Sequence, residues 1–106
     1  MGRKDEALRD FNYAISLNPN YTDCYNSRGN LLESIGKLEE ALKDYTRAIE
    51  LHPDGAMAYN NRGVLFRVMG KNKEALQDYT KSIELDPNWE LPYSNRGLVL
   101  KNTGKM

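Results

Sequence analysis

The sequence repeats one five-letter phrase at a constant interval. The phrase YNSRG begins at residue 25, YNNRG at residue 59 and YSNRG at residue 93. Residues 36–69 and 70–103 are identical at 16 of 34 positions, and residues 2–35 and 36–69 are identical at 14. A period in the range of about 20–50 residues indicates an array of stacked supersecondary units, each of which buries its apolar face against its neighbours.

The sequence predicts two helical segments in each period. Residues 38–51 carry apolar side chains at steps of three and four, which places them on one face of a helix. Equivalent segments cover 4–17 and 72–85. The other helical segment of each period covers 22–35, 56–69 and 90–103. No stretch alternates as a strand would. The sequence therefore predicts an all-α fold of six helices.

Recurring turn residues separate these segments. Prolines end one kind of helix, because the residue before a proline disfavours the α conformation, and glycines end the other kind. The prolines are Pro19, Pro53 and Pro87, and the glycines are Gly36, Gly70 and Gly104. Asn20, Asp54 and Asn88 follow the prolines, where the N-cap of the next helix belongs.

Charge and composition argue against several classes of partner. Fifteen basic and fifteen acidic residues cancel, so the chain has no basic field of the kind that binds nucleic acid or acidic membranes. No apolar run reaches the ~18 residues of a membrane span. The single cysteine, Cys24, excludes an internal disulfide and suits a reducing compartment. We therefore expect a cytoplasmic protein that binds neither nucleic acid nor membranes.

The chain lacks the residues that catalysis or metal binding needs. One histidine and one cysteine cannot form a repeated metal shell or a paired nucleophile and base. His52 precedes Pro53 in a turn, where a solvated side chain is the simplest interpretation. We expect no cofactor, no metal and no enzymatic activity.

The repeated positions resemble the tetratricopeptide repeat, a helix–turn–helix unit of about 34 residues. The residues that carry the resemblance are Tyr25, Gly29, Leu32, Ala41, Tyr45 and Pro53, then Tyr59, Gly63, Phe66, Ala75, Tyr79 and Pro87, then Tyr93, Gly97 and Leu100. The resemblance covers nearly the whole chain. It implies a right-handed superhelical solenoid of antiparallel helix pairs, divided into a half repeat 2–19, repeats 20–53 and 54–87, and a half repeat 88–106. These divisions are typical of a fragment of a longer array.

A charged residue departs from the family pattern in every copy. Arginine replaces the usual leucine immediately before the repeated glycine, and an aspartate recurs with the same period in the other helix. Because each arginine follows an aspartate at the same interval, we predict ion pairs between successive repeats. These are Asp10–Arg28, Asp44–Arg62 and Asp78–Arg96. The within-repeat pairs Arg28–Asp44 and Arg62–Asp78 use the same residues and stay open as the alternative.

In the family, the first helices of the repeats line a concave groove in which relatives bind extended peptides. We predict that this groove is lined by the stripe opposite the repeated glycines. These groove residues are Asp23, Asn26, Ser27, Asn30 and Glu33, then Met57, Asn60, Asn61, Val64 and Arg67, then Leu91, Ser94, Asn95, Leu98 and Lys101. An asparagine amide can both donate to and accept from a peptide main chain. Asn61 and Asn95 resemble the asparagine ladder of the repeat domain of O-linked N-acetylglucosamine transferase; the alternative is solvated asparagines with no ligand.

The resemblance implies a protein-interaction scaffold that binds an extended peptide with apolar anchors. The chaperone-binding members of the family use paired basic residues to hold a C-terminal carboxylate. The corresponding positions here are Asn26, Leu91 and Asn95, and none is basic. The sequence therefore argues against chaperone C-terminal tails as ligands. The alternative function is a structural or self-assembling spacer whose unpaired terminal helices stack head to tail.

Overall fold

Six α-helices follow one another in the computed structural model, which describes residues 2–104. The chain divides into two units at Pro53. Unit 1 contains α1 (Arg3–Leu17), α2 (Thr22–Ser34) and α3 (Leu38–Leu51), and unit 2 contains α4 (Ala56–Val68), α5 (Asn72–Leu85) and α6 (Glu90–Thr103). The six helices predicted from the sequence are confirmed, to within one residue at each end.

In unit 1, α2 and α3 pack against each other, and α1 packs on α2. The Tyr45 ring is fully buried between α2 and α3, together with Ala41 and Leu32. At Gly29 a Cβ would lie 2.6 Å from Cε1 of Tyr45, closer than side-chain carbons approach. The glycine is therefore required because the tyrosine ring rests directly on the α2 backbone.

In unit 2, α4 and α5 pack against each other as α2 and α3 do in unit 1, and α6 is the third helix. α4 packs on α5, and α6 packs on the same α5 helix. Ala75, Tyr79 and Val99 form the buried centre. The buried Ser82 hydroxyl donates to the carbonyl oxygen of Ala56 at 2.8 Å and ties α5 to the first turn of α4.

The turns after α2 and α4 are closed by glycines in the left-handed region. Gly36 has φ +83° and Gly70 has φ +80°, a conformation that side chains with a Cβ rarely adopt. The backbone N–H of Lys37 then donates to the carbonyl oxygen of Leu32 at 2.9 Å. This bond satisfies a carbonyl at the helix end, as the sequence predicted for these glycines.

The predicted N-caps after the prolines are wrong. α2 and α6 begin after Tyr21 and Trp89, and neither helix has a side-chain cap. The N–H of Tyr21 donates to the Asn18 carbonyl oxygen at 3.1 Å, and the N–H of Trp89 donates to that of Asp86 at 3.2 Å. Each of these bonds closes a four-residue turn through the proline. Asn20 and Asn88 therefore lie inside turns rather than at helix starts. α4 likewise starts after Gly55, again without a side-chain cap.

Candidate functional site

The repeated arginine pairs with the aspartate of its own repeat. Nε of Arg28 lies 2.7 Å from Oδ2 of Asp44, and Nη2 donates to Oδ1 at 2.8 Å. The remaining amine, Nη1, donates to Oδ1 of Asn12 on α1 at 2.9 Å. These bonds to Asp44 raise the pKa of the Arg28 guanidinium above its ordinary value. A two-point contact of this kind fixes the orientation of both side chains.

Unit 2 has the same pair between α4 and α5. Nε of Arg62 lies 2.7 Å from Oδ2 of Asp78, and Nη2 donates to Oδ1 at 2.9 Å. Arg96 on α6 instead donates from Nη1 to the Thr80 hydroxyl at 3.2 Å. Asp10 on α1 is exposed. The between-repeat pairing that we favoured is therefore corrected to the within-repeat alternative.

Helix packing explains why the within-repeat pairing occurs. Arg28 directly precedes Gly29, and Asp44 directly precedes the Tyr45 ring that rests on that glycine. The close approach at the glycine brings the preceding residues of both helices together. The packing of α2 on α3 therefore selects the aspartate that follows each arginine in the sequence, and not the one that precedes it.

Aromatic rings explain how an arginine fits where the family usually has leucine. The guanidinium carbon of Arg28 lies 5.7 Å from the centre of the Tyr25 ring, and that of Arg62 lies 5.8 Å from the Tyr59 ring. Arg62 also lies 5.6 Å from the centre of the Phe66 ring. Such contacts attract a cation to an aromatic face, while the alkyl part of arginine provides apolar packing.

The groove residues of unit 2 are organised around one hydrogen bond between α4 and α6. Nδ2 of Asn95 donates to Oδ1 of Asn60 at 3.1 Å. Asn60 is only 3% exposed, so it is not the open groove residue that we predicted. This one member of the predicted stripe therefore lies in the contact between α4 and α6, while Met57, Leu91 and Leu98 of the same stripe are half-exposed. The amide pair links the first helices of two successive repeats, a role that the sequence did not suggest.

Apolar groove residues flank this amide pair. Met57 lies one turn before Asn60, while Leu91 and Leu98 lie one turn on either side of Asn95. These three side chains are 53%, 45% and 45% exposed. A strip of half-exposed apolar side chains along two linked helices forms a surface that a partner can cover.

Two buried donors on α4 lack partners in the part of the chain that the structure describes. They are Nδ2 of Asn61 and Nε of Arg67. Unpaired buried donors are uncommon and costly in folded proteins. On the same helix Val64 is half-buried, and on α6 Lys101 is exposed. No unit 2 groove residue is acidic, so the charge of this surface is positive.

The groove residues of unit 1 are more polar. Asn26 is buried and its Oδ1 has no hydrogen-bond partner within residues 2–104. The Tyr45 hydroxyl contacts Oδ1 of Asn30 and lies 3.0 Å from Oε1 of Glu33. Burial, reinforced by the Glu33 carboxylate, raises the pKa of Tyr45 above its usual range. The tyrosine that packs on Gly29 thus also positions two groove residues, which sequence reasoning missed.

Cys24 is a core residue of unit 1. Its side chain is buried, and its Sγ lies 3.8 Å from the Phe11 carbonyl oxygen. Burial raises the pKa of the thiol. Within residues 2–104, no group of three or more histidine, cysteine or acidic side chains is arranged to hold a metal ion. The described helices also include none that is long and apolar enough to cross a membrane.

Known structures share this architecture. Two crystal structures of MamA are each 25% identical to the chain and cover 97% of it, with TM-scores of 0.89 and 0.88. The chain spans 60% and 56% of those two MamA chains. The first tetratricopeptide domain of Spaghetti (RPAP3), bound to the HSP90 peptide SRMEEVD, is 24% identical with a TM-score of 0.90. The match covers 96% of this chain and 81% of that one, and shows a common fold.

The family of this chain follows from a comparison with models of protein families. A comparison with curated proteins finds no match. The tetratricopeptide repeat model matches residues 22–54 and 56–88, which together make up more than half of the chain. The matched segments contain both observed Arg–Asp pairs and both close glycine–tyrosine contacts. This chain belongs to the tetratricopeptide repeat family.

Proposed function

We propose that the chain is a protein-interaction scaffold without catalytic activity, and that the groove residues of unit 2 bind an extended segment of a partner protein. The observation that carries this proposal is the exposed apolar strip formed by Met57, Leu91 and Leu98. Covering such side chains contributes about 25 cal/mol per Å² of apolar surface removed from water. The Asn60–Asn95 bond presents the strip on two helices that are held together.

Unpaired donors define the polar part of the ligand. Nδ2 of Asn61 and Nε of Arg67 are buried in the free chain, so each can donate to a main-chain carbonyl or a carboxylate of the ligand only once its side chain turns outward on binding. Lys101 adds a second cation near the end of α6. The ligand that fits best carries apolar anchors and at least one acidic group, and uses its backbone carbonyls as acceptors.

Peptide binding by a structural neighbour supports this function at the level of the fold. That neighbour binds the HSP90 peptide SRMEEVD, which contains acidic residues. The positions that would grip a terminal carboxylate are Asn26, Leu91 and Asn95 in this chain. Because none is basic, we propose that an internal segment with apolar anchors is bound, and not a chaperone C-terminal tail.

A peptide-display selection tests the proposal. The chain at low micromolar concentration is used to select from a random peptide library, beside Leu98→Ser and Leu100→Ser. Leu98 and Leu100 lie on the same helix and are 45% and 51% exposed, but only Leu98 is a groove residue. We expect enriched peptides with apolar and acidic positions that bind wild type and Leu100→Ser equally. The same peptides should bind Leu98→Ser at least about tenfold more weakly, since a hot-spot side chain is worth about 1.4 kcal/mol or more.

The asparagines require separate variants. Asn61→Ala removes an unpaired donor without breaking a described bond, whereas Asn95→Ala also removes the bond to Asn60. We expect Asn61→Ala to lower the affinity for the selected peptide and to leave the melting temperature of the chain unchanged. Asn95→Ala should lower both the affinity and the melting temperature. Equal binding by wild type and Leu98→Ser, or no enrichment at all, would overturn the proposal.

A further inference from the structure

We propose that the groove side of α2 carries a subsite for a basic side chain, lysine or arginine, of a partner protein. The subsite consists of the Glu33 carboxylate and the Asn30 amide, which lie one turn apart on α2 and both contact the Tyr45 hydroxyl. It lies within unit 1 and uses no residue of the peptide site proposed in unit 2, so the two proposals can be tested separately.

The core of unit 1 fixes the position of this subsite. The Tyr45 ring is fully buried and rests on the backbone at Gly29. Its hydroxyl group therefore reaches a fixed point beside α2, where it contacts Oδ1 of Asn30 and lies 3.0 Å from Oε1 of Glu33. Side chains that are already ordered lose little conformational freedom when a ligand binds to them.

The Tyr45 hydroxyl has one proton for two acceptors. Oδ1 of Asn30 and Oε1 of Glu33 both accept hydrogen bonds, and the single hydroxyl proton can fully satisfy only one of them. The other oxygen is left without a full hydrogen bond in this cluster. A donor group on a ligand supplies the bond that is missing.

The Glu33 carboxylate also lacks a cationic partner. None of the ion pairs in the described part of the chain includes Glu33. Its side chain is half-buried, and Asn30 beside it is exposed. A partly desolvated charge is unfavourable without a counter-charge, and salt screens it less than a fully exposed one. The carboxylate therefore attracts a positive group that approaches from the solvent side of α2.

A basic side chain provides both the missing donor and the missing charge. A lysine ammonium and an arginine guanidinium each carry several N–H donors and one positive charge. A neutral amide or hydroxyl supplies a donor without the charge, and an acidic group is repelled. Because hydrogen bonds between charged groups are about twice as strong as neutral ones, the charge decides the class of ligand.

Unit 2 lacks this subsite, although the same helices pack in the same way. The residues that occupy the positions of Asn30 and Glu33 in α4 are Val64 and Arg67. Neither can hold a cation, since one is apolar and the other is itself basic. The same position of the repeat thus favours a basic ligand group in unit 1 and an acidic one in unit 2.

Titration with small capped peptides tests the subsite. The probes are acetylated and amidated glycine peptides with one central arginine, lysine or glutamate, added to the nitrogen-15-labelled chain up to about 20 mM and followed by two-dimensional NMR. We expect the arginine and lysine peptides to shift the Asn30 side-chain amide and the Glu33 backbone amide saturably. The glutamate peptide should leave these two signals unchanged.

Glu33→Gln and Glu40→Gln separate a local contact from general electrostatic attraction. Each variant removes one negative charge, but Glu40 is exposed on α3 and contacts neither Asn30 nor Tyr45 in the described bonds. We expect Glu33→Gln to weaken binding of the arginine peptide at least about tenfold. Glu40→Gln should weaken it by less than about twofold, and the melting temperatures of both variants should match wild type.

Exchange of the charge tests the class of ligand. Glu33→Arg copies the residue that unit 2 has at this position, so it should lose the arginine peptide and bind the glutamate peptide. Leu98→Ser removes a groove residue of unit 2 and should bind the arginine peptide as wild type does. The basic subsite and the apolar peptide site can therefore fail independently of each other.

Each remaining outcome counts against the proposal. The absence of a saturable shift in wild type overturns it and shows an ordinarily solvated carboxylate. Equal weakening by Glu33→Gln and Glu40→Gln, or equal shifts of the two signals by the glutamate peptide, shows nonspecific binding in its place.

Discussion

Replacing Gly29 by alanine tests the close packing of α2 on α3. The added Cβ would lie 2.6 Å from Cε1 and 2.8 Å from Cδ1 of Tyr45. The ring cannot easily move away, because it is fully buried and its hydroxyl contacts Asn30 and Glu33. Overpacking costs about 1–3 kcal/mol, whereas alanine gains about 1 kcal/mol of helix propensity over glycine. We expect Gly29→Ala to lower the free energy of unfolding by about 1–2 kcal/mol, since a contact this short is at the severe end of the range.

Gly97→Ala is the matched control. It has the same helix propensity gain, but its Cβ meets nothing within 4 Å, so we expect a free energy of unfolding up to about 1 kcal/mol higher than wild type. Urea denaturation followed by circular dichroism at low micromolar concentration measures both variants. In the Tyr45→Leu background, where the ring is absent, Gly29→Ala should cost much less. Equal effects of the two glycine substitutions, or the same cost of Gly29→Ala with and without the Tyr45 ring, would refute the packing argument.

Two further predictions concern the ion pair and the cysteine. In a double-mutant cycle, Arg28→Ala and Asp44→Ala should each destabilise unit 1 by about 2–3 kcal/mol and should not be additive, because removing either one leaves a largely buried polar partner. The exposed pair Arg47–Glu50 should show a coupling below about 1 kcal/mol; similar coupling in the two cycles would contradict this reasoning. Burial of Cys24 shields the thiol and raises its pKa, so a smaller fraction of it is thiolate at any given pH. Alkylation by iodoacetamide at pH 8 should therefore be at least about tenfold slower in the folded chain than in urea. Equal rates would show that this thiol is accessible.

Helix positions and the family could be predicted from the sequence. The apolar period of α3 and α5 and the recurring glycines and prolines are local signals, and each limits a helix without reference to the rest of the fold. The sequence predicted which residues share the groove stripe of a helix, because the face that a residue occupies is periodic. It did not predict how exposed each of them is, because burial depends on the neighbouring helix. Asn60 shows this, since its bond to Asn95 buries it between α4 and α6.

The sequence by itself determined that the chain forms helical repeats of constant length and that arginine and aspartate recur in register. It could not determine which aspartate each arginine contacts, because in any array of this period an aspartate precedes and another follows an arginine at nearly equal intervals. Only the packing of two helices at Gly29 and Tyr45 brings Arg28 to Asp44. The close approach of two backbones is a property of the folded pair of helices, and the choice of ion-pair partner follows from it.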